Sequence, residues 1–171
     1  YGNTPLHISV IYCDENCYIE VIKLLLQYKA DVNIKNFSGK TPLHIAIINN
    51  DHINLIETMK LLLDHGANIN AIDNNGYTPL HIIVLYYYNV LFIQVIKFLL
   101  QNGADINIKN NKGRTPLNMV LEDFNIYKKH NKEKRHDKHP YHDEDLDVCR
   151  FYSNLTYAIT LLSHPHEIYQ R

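Results

Sequence analysis

Apolar positions along this chain fall into short clusters separated by polar, glycine-containing stretches. Ile19, Val21, Ile22 and Leu25, and again Ile93, Val95, Ile96, Leu99 and Leu100, are spaced to cover one side of a helix, which predicts amphipathic helices there. The longest apolar run is residues 81–100, HIIVLYYYNVLFIQVIKFLL, in which only His81, Asn89, Gln94 and Lys97 are clearly polar. About twenty such residues are enough to cross a bilayer as a helix. Whether this run does so depends on what surrounds it.

The clusters recur. TPLH occurs at Thr4–His7, Thr41–His44 and Thr78–His81, and returns as TPLN at Thr115–Asn118, with Gly2, Gly39, Gly76 and Gly113 two residues ahead. The spacing is 37 residues each time. In phase with it come KLLL or KFLL at Lys23–Leu26, Lys60–Leu63 and Lys97–Leu100, then Ala30-Asp31-Val32-Asn33, Ala67-Asn68-Ile69-Asn70 and Ala104-Asp105-Ile106-Asn107. Such a period is the mark of a repeat architecture.

Each block has a physical reading. Thr followed by Pro starts a helix, with Thr as N-cap and Pro at the first helical position, where its missing N–H costs nothing. The Leu-rich block belongs to a second amphipathic helix, and Gly66 and Gly103 suit the left-handed position that ends it. Lys29 takes that place in the first repeat, at roughly 1 kcal/mol of local strain. The Asn-x-x-x-Asn/Asp-x-x-Gly stretches between repeats are turn chemistry and predict exposed hairpins.

The combination of Gly-x-Thr-Pro-Leu-His, x-Leu-Leu and Gly-Ala-Asp/Asn-x-Asn resembles the ankyrin repeat family over residues 2 to about 121. The resemblance implies an all-α fold, a solenoid of stacked antiparallel helix pairs with projecting β-hairpin loops, each repeat burying its apolar face against its neighbours. The chain then reads as one domain, 1–171, with repeats 2–38, 39–75 and 76–112 and an atypical C-terminal repeat 113–171. That last repeat has Asn118 in place of His and a polar insertion at about 128–146, after which apolar helical spacing resumes at Leu155, Ala158, Ile159, Leu161 and Leu162. The hairpin ahead of Thr4 is cut through at Tyr1, and further repeats are expected upstream in a longer chain.

The period differs from the family's usual 33 by four residues, about one helical turn. The excess falls in 11–18, 48–55 and 85–92. Either the first helix of each repeat is longer by a turn or its connection to the second is enlarged. In this register residues 81–88 end one helix and Phe92–Leu100 belong to the next. The counterparts of the apolar run carry Asp51, His52 and Glu57, or Asp14, Glu15 and Glu20, so a membrane span is not expected. Leu80, Val84 and Tyr88, with Ile83 and Tyr87, extend a buried seam, whereas Tyr86, one turn after Ile82, faces outward.

Composition adds limits. With 46% hydrophobic and 20% charged residues and a net charge of −1, nothing points to nucleic acid or to an anionic membrane. Three cysteines, Cys13, Cys17 and Cys149, fit neither a disulfide framework nor a four-ligand zinc site and suggest reduced thiols in the cytoplasm, with the nucleus as a second compartment. The 21 isoleucines and 20 asparagines read as AT-rich coding, without chemical meaning. Segment 130–145 holds His130, His136, His139 and His142 beside Asp137, Asp143 and Asp145, a set that could serve a metal- or pH-responsive element, although Pro140 interrupts the helix that would align such ligands. No phosphate-binding loop, nucleophile elbow or clustered zinc motif is present, so neither enzyme activity nor a cofactor is expected.

The resemblance implies a module that binds protein partners through hairpin tips and the concave side of the first helices. Variable tip positions and aromatic or Arg anchors single out Phe37, Lys40, Asn74, Tyr77, Tyr86, Lys112 and Arg114. A monomer is expected. Arrays of this size resemble inhibitors that mask transcription factors of the NF-κB type and recruitment arms of ubiquitin-ligase adaptors; a structural spacer within a longer array is a further reading.

Overall fold

A computed structural model describes residues 1–12, 16–49, 54–85, 91–122, 125 and 156–164, with 16–18 traced through their backbone only. Helices start where the threonine-proline pairs place them. In order they are α1 (Pro5–Ile11), α2 (Asn16–Gln27), α3 (Pro42–Ile48), α4 (Leu55–Asp64), α5 (Pro79–Leu85) and α6 (Phe92–Gln101). Helical residues 116–122 and 156–163 follow, here α7 and α8. Thr4 and Thr41 sit in extended conformation at the N-caps, and proline begins the helix.

The first helices do not run on into the extra residues in the two repeats where their ends are described. α1 stops at Ile11 with Tyr12 as C-cap, and α3 at Ile48 with Asn49 as C-cap. In the first repeat the later part of the extra segment lies in α2, which begins at Asn16, and residues 13–15 and 50–53 lie outside the described residues. Tyr86, Tyr87 and Tyr88 lie outside the described residues.

The second helices end alike. The N–H of Ala67 reaches Leu62 O at 2.9 Å and that of Gly66 reaches Leu63 O at 2.9 Å, and Ala104 and Gly103 repeat the pattern on Leu99 and Leu100. These are Schellman endings, which need a left-handed residue. Gly66 (φ 87°) and Gly103 (φ 89°) supply it without strain, and Lys29 (φ 59°) adopts it despite its Cβ. Ala30 and Lys29 still make the same bonds, to Leu25 and Leu26.

α1 packs on α2 and α3, α3 on α4 and α5, α5 on α6, and α2 on α4. One continuous apolar cluster runs from Leu6 to Leu162. Leu43, Ile83, Phe92 and Ile96 are fully enclosed in it, each contributing about 1.5–3 kcal/mol by removal from water. The fourth repeat adds Met119 and Val120 from α7, then Ala158, Leu161 and Leu162 from α8. No described helix is long and apolar enough to cross a membrane. The apolar run of 81–100 is divided between α5 and α6.

Between repeats the chain makes tight projecting loops without a strand ladder, since no described residue lies in a strand. Two main-chain bonds close each loop: Asn36 N–H to Lys40 O at 2.9 Å, Asp73 to Tyr77 O at 3.0 Å and Asn110 to Arg114 O at 2.9 Å, each with the loop glycine N–H returning to the first carbonyl, Gly39 to Asn36 O at 2.8 Å, Gly76 to Asp73 O at 3.0 Å and Gly113 to Asn110 O at 2.8 Å. The first residue of each loop also turns its side-chain oxygen inward. Asn36 Oδ1 accepts from Ser38 and Lys40, Asp73 Oδ1 from Asn75 and Tyr77, and Asn110 Oδ1 from Lys112 and Arg114. A side-chain acceptor filled by the next turn is how Asn and Asp specify turns.

Candidate protein-interaction surface

The projecting loops are locked to one another by two sets of polar side chains. The first is the histidine of each TPLH. His7, His44 and His81 are fully buried. Each sits at the third helical position, where its Nδ1 faces the N-cap N–H (3.2 Å in all three) and the N-cap hydroxyl (2.9, 2.9 and 2.8 Å). Nε2 faces the carbonyl of Lys40, Tyr77 and Arg114 respectively, at 2.9, 3.0 and 3.0 Å, always in the following repeat. A carbonyl can only accept, so Nε2 carries the proton and Nδ1 is the acceptor. The imidazole thus completes a capping box and a link to the next repeat at once. Burial pulls all three pKa values below the usual 6.5, against the opposing pull of the carbonyl bond, so the rings are neutral.

Asparagine amides form the second set. Asn33 Nδ2 donates to Gly66 O (2.9 Å) and its Oδ1 accepts from Asn68 N–H (2.7 Å); Asn70 does the same with Gly103 O (3.3 Å) and Asp105 N–H (2.9 Å). At the tips, Asn74 Nδ2 donates to Phe37 O (2.9 Å) and Asn111 Nδ2 to Asn74 O (2.9 Å). Beneath those contacts the loop glycines leave no room. A Cβ on Gly39 would lie 2.6 Å from the backbone nitrogen of Asn74, and one on Gly76 2.7 Å from that of Asn111.

Against this framework the seven candidate residues separate. Lys40, Tyr77 and Arg114 occupy one register position, and their main-chain carbonyls are the acceptors of the three histidines. Their side chains are also engaged. Lys40 Nζ lies 3.6 Å from the buried Asp73 carboxylate, the half-buried Tyr77 ring packs on the core with its centroid 5.8 Å from that of His81, and the Arg114 guanidinium pairs with Glu122. Asn74 is exposed, but its amide is the tip-to-tip link. Phe37 is 81% exposed, and Lys112 is exposed as well.

Tyr86 lies outside the described residues, as does all of 130–145. Ile82, one turn before Tyr86 and the marker of its outward face, is buried at 3% exposure by the neighbouring repeat. On the first helices the C-terminal ends stay open at Tyr12 and Leu85, and α1 also exposes Pro5 and Ile8. Among the described residues, no three His, Cys, Asp or Glu side chains converge as a metal site would require.

Sequence reasoning passed over the linking asparagines. The usable signal was their recurrence in register, Asn33 with Asn70 and Asn74 with Asn111.

A family model described as ankyrin repeats (3 copies) matches residues 13–110 and 54–126. Among curated proteins, the chain is 57% identical over 37 residues to the ankyrin repeat protein FPV233 of Fowlpox virus (strain NVSL), covering 22% of this chain and 7% of that protein. It is 60% identical over 35 residues to FPV031 of the same virus, covering 20% of this chain and 9% of that one. The chain thus spans less than a tenth of the length of these relatives.

Proposed function

The chain belongs to the ankyrin repeat family, and on that premise we propose that it is a non-enzymatic adaptor or inhibitor module in the cytoplasm that holds partner proteins along its hairpin edge. Arrays of this family are in general protein-interaction modules. The observation that carries the reading is the state of the tips. Their main-chain and amide groups are satisfied by links between repeats, while Phe37 and Lys112 stand free on the same edge. A pre-ordered edge loses little conformational freedom when a partner docks.

Phe37 suits the role of anchor. Its ring lies over Gly2, where a Cβ would meet it at 2.5 Å, and its other side is open to solvent. Aromatic residues held in one orientation are common binding hot spots. Action by steric occupation of a partner's surface, or by bridging two partners, follows from an edge and a helix-end surface that are separately accessible.

The test is capture of partners from a lysate of the source cells by the wild-type chain and by Phe37→Ala/Lys112→Ala, with urea denaturation confirming that both are folded. Loss of specific partners by the double variant is the expected result. Identical profiles would remove the hairpin edge from the interaction.

A further inference from the structure

Charge is spread unevenly over the chain. The projecting segments 34–40, 71–77 and 108–114 hold Lys35, Lys40, Lys109, Lys112 and Arg114 against one carboxylate, Asp73, whereas the chain as a whole carries −1. The hairpin edge is therefore cationic and the remainder of the sequence anionic. Two of these cations are already matched: Lys40 Nζ lies 3.6 Å from the buried Asp73 carboxylate, and Arg114 pairs with Glu122. Lys35, Lys109 and Lys112 are exposed. Lys109 and Lys112 have no carboxylate partner among the described residues. Lys35 Nζ donates to Ile72 O at 2.7 Å, a carbonyl that fixes its position without cancelling its charge. The nearby acids Asp31 and Asp105 are occupied in turns of their own, where each Oδ1 accepts the N–H two residues on.

Apolar groups stand in the same rows. The register position of Lys35 recurs as Ile72 and Lys109, so Ile72, 45% exposed, lies between two lysines, and Phe37, 81% exposed, projects from the same loop as Lys35. Packed helices lie about 10 Å apart, which separates the two lysines of this row by about 20 Å. An extended chain covers that distance in about six residues. The edge thus presents a cation, an apolar middle and a second cation along the length of a short extended segment, with Lys112 on the same loop as the second cation.

We infer that the hairpin edge takes an extended acidic segment of a partner protein, with an apolar side chain against Phe37 and Ile72 and carboxylates at Lys35, Lys109 and Lys112. This rests on the reading that partners dock on that edge, and it adds the chemistry of the chain that docks there. Opposite charge across the contact steers the encounter and fixes its register. Nucleic acid fits less well, because its charge runs on past the edge over a molecule that is otherwise anionic, and Ile72 offers no ring for a base to stack on.

Selection from a random decapeptide display library tests this. Peptides recovered by the wild-type chain should be enriched in Asp and Glu around an apolar residue. A synthetic copy of the best binder should bind Lys109→Gln/Lys112→Gln about three- to tenfold more weakly, and should lose affinity for the wild type in about 1 M NaCl, where screening leaves a reach of only about 3 Å. The charge-reversed chain, Lys109→Glu/Lys112→Glu, should recover peptides rich in Lys and Arg instead, with urea midpoints of both variants close to that of the wild type. Peptides without acidic bias whose binding falls with Phe37→Ala would overturn the acidic partner and leave the edge as the docking surface. Acidic peptides that bind the glutamine variant as tightly as the wild type would also overturn it. Peptides indifferent to every one of these substitutions, or no peptides at all, would remove the edge itself. Tighter binding of a single-stranded oligothymidylate, competitive with the peptide, would make nucleic acid the occupant.

Discussion

His44 and Asn118 occupy the same register position, each three residues after a capping threonine, but in different surroundings. Asn118 Oδ1 accepts from Thr115 N–H at 3.1 Å and from its hydroxyl at 3.0 Å, which reproduces what Nδ1 of His44 does for Thr41. The imidazole has a second nitrogen on the opposite edge of the ring, and that nitrogen reaches Tyr77 O in the next repeat. Asn118 is exposed, whereas His44 is enclosed. Starting a helix requires only the local half of the motif. Joining one repeat to the next requires the longer, two-ended side chain.

The sharpest way to break this comparison is truncation. His44→Ala leaves the Thr41 cap unpaired, reduces the Tyr77 carbonyl to its bond from the Asp73 N–H and opens a cavity, at a cost of about 2–4 kcal/mol. Asn118→Ala removes only a cap on an exposed helix start, at about 0.5–1.5 kcal/mol. Urea denaturation of both variants measures the gap, and His44→Asn should fall between them. Equal losses would mean that the link to the next repeat contributes nothing.

Glycines give a smaller contrast of the same kind. Gly76→Ala combines left-handed strain with a clash against the Asn111 backbone, together about 2–3 kcal/mol. Gly113 has the same backbone conformation (φ 72°) but nothing within 4 Å of a Cβ, so Gly113→Ala should cost only about 1 kcal/mol of strain.

Acid provides the gentlest probe. Because the folded pKa of His7, His44 and His81 lies below the unfolded 6.5, the unfolded chain binds more protons in acid. The neutral rings therefore contribute stability that is fully present above pH 6.5 and is lost as pH falls below it. Denaturation midpoints measured from pH 7.5 down to 5 should decline, with a shallower slope in His44→Asn. A parallel slope in that variant would exclude His44 from the effect.

What could be read from the sequence was what is decided within one repeat. The threonine-proline starts, the glycine endings and the strained Lys29 depend on neighbours a few residues away, and local chemistry locates them. Contacts made to the next repeat were harder to see. Lys40, Tyr77 and Arg114 stand out as variable loop residues, but packing occupies their side chains and their carbonyls serve the histidines. The asparagine content, read as codon bias, is in part structural, since Asn33, Asn70, Asn74 and Asn111 each span two repeats. An amide that both donates and accepts looks the same in the sequence whether its partner is water or the adjoining loop. Ile82 illustrates the same limit: helical spacing places it on an outer face, which the neighbouring repeat then covers.

The histidine links all join residues 33 positions apart, a feature with an evolutionary consequence. Every such bond is written between a unit and its immediate successor, so gain or loss of one whole 37-residue unit by unequal recombination leaves each surviving junction chemically intact. Insertion of a single residue within a projecting loop, between Asn36 and Lys40 for example, shifts a group away from its partner across the boundary. Lineages carrying genes of this kind can therefore change the length of the array more freely than its spelling, and new surfaces arise by adding complete units whose tips then diverge.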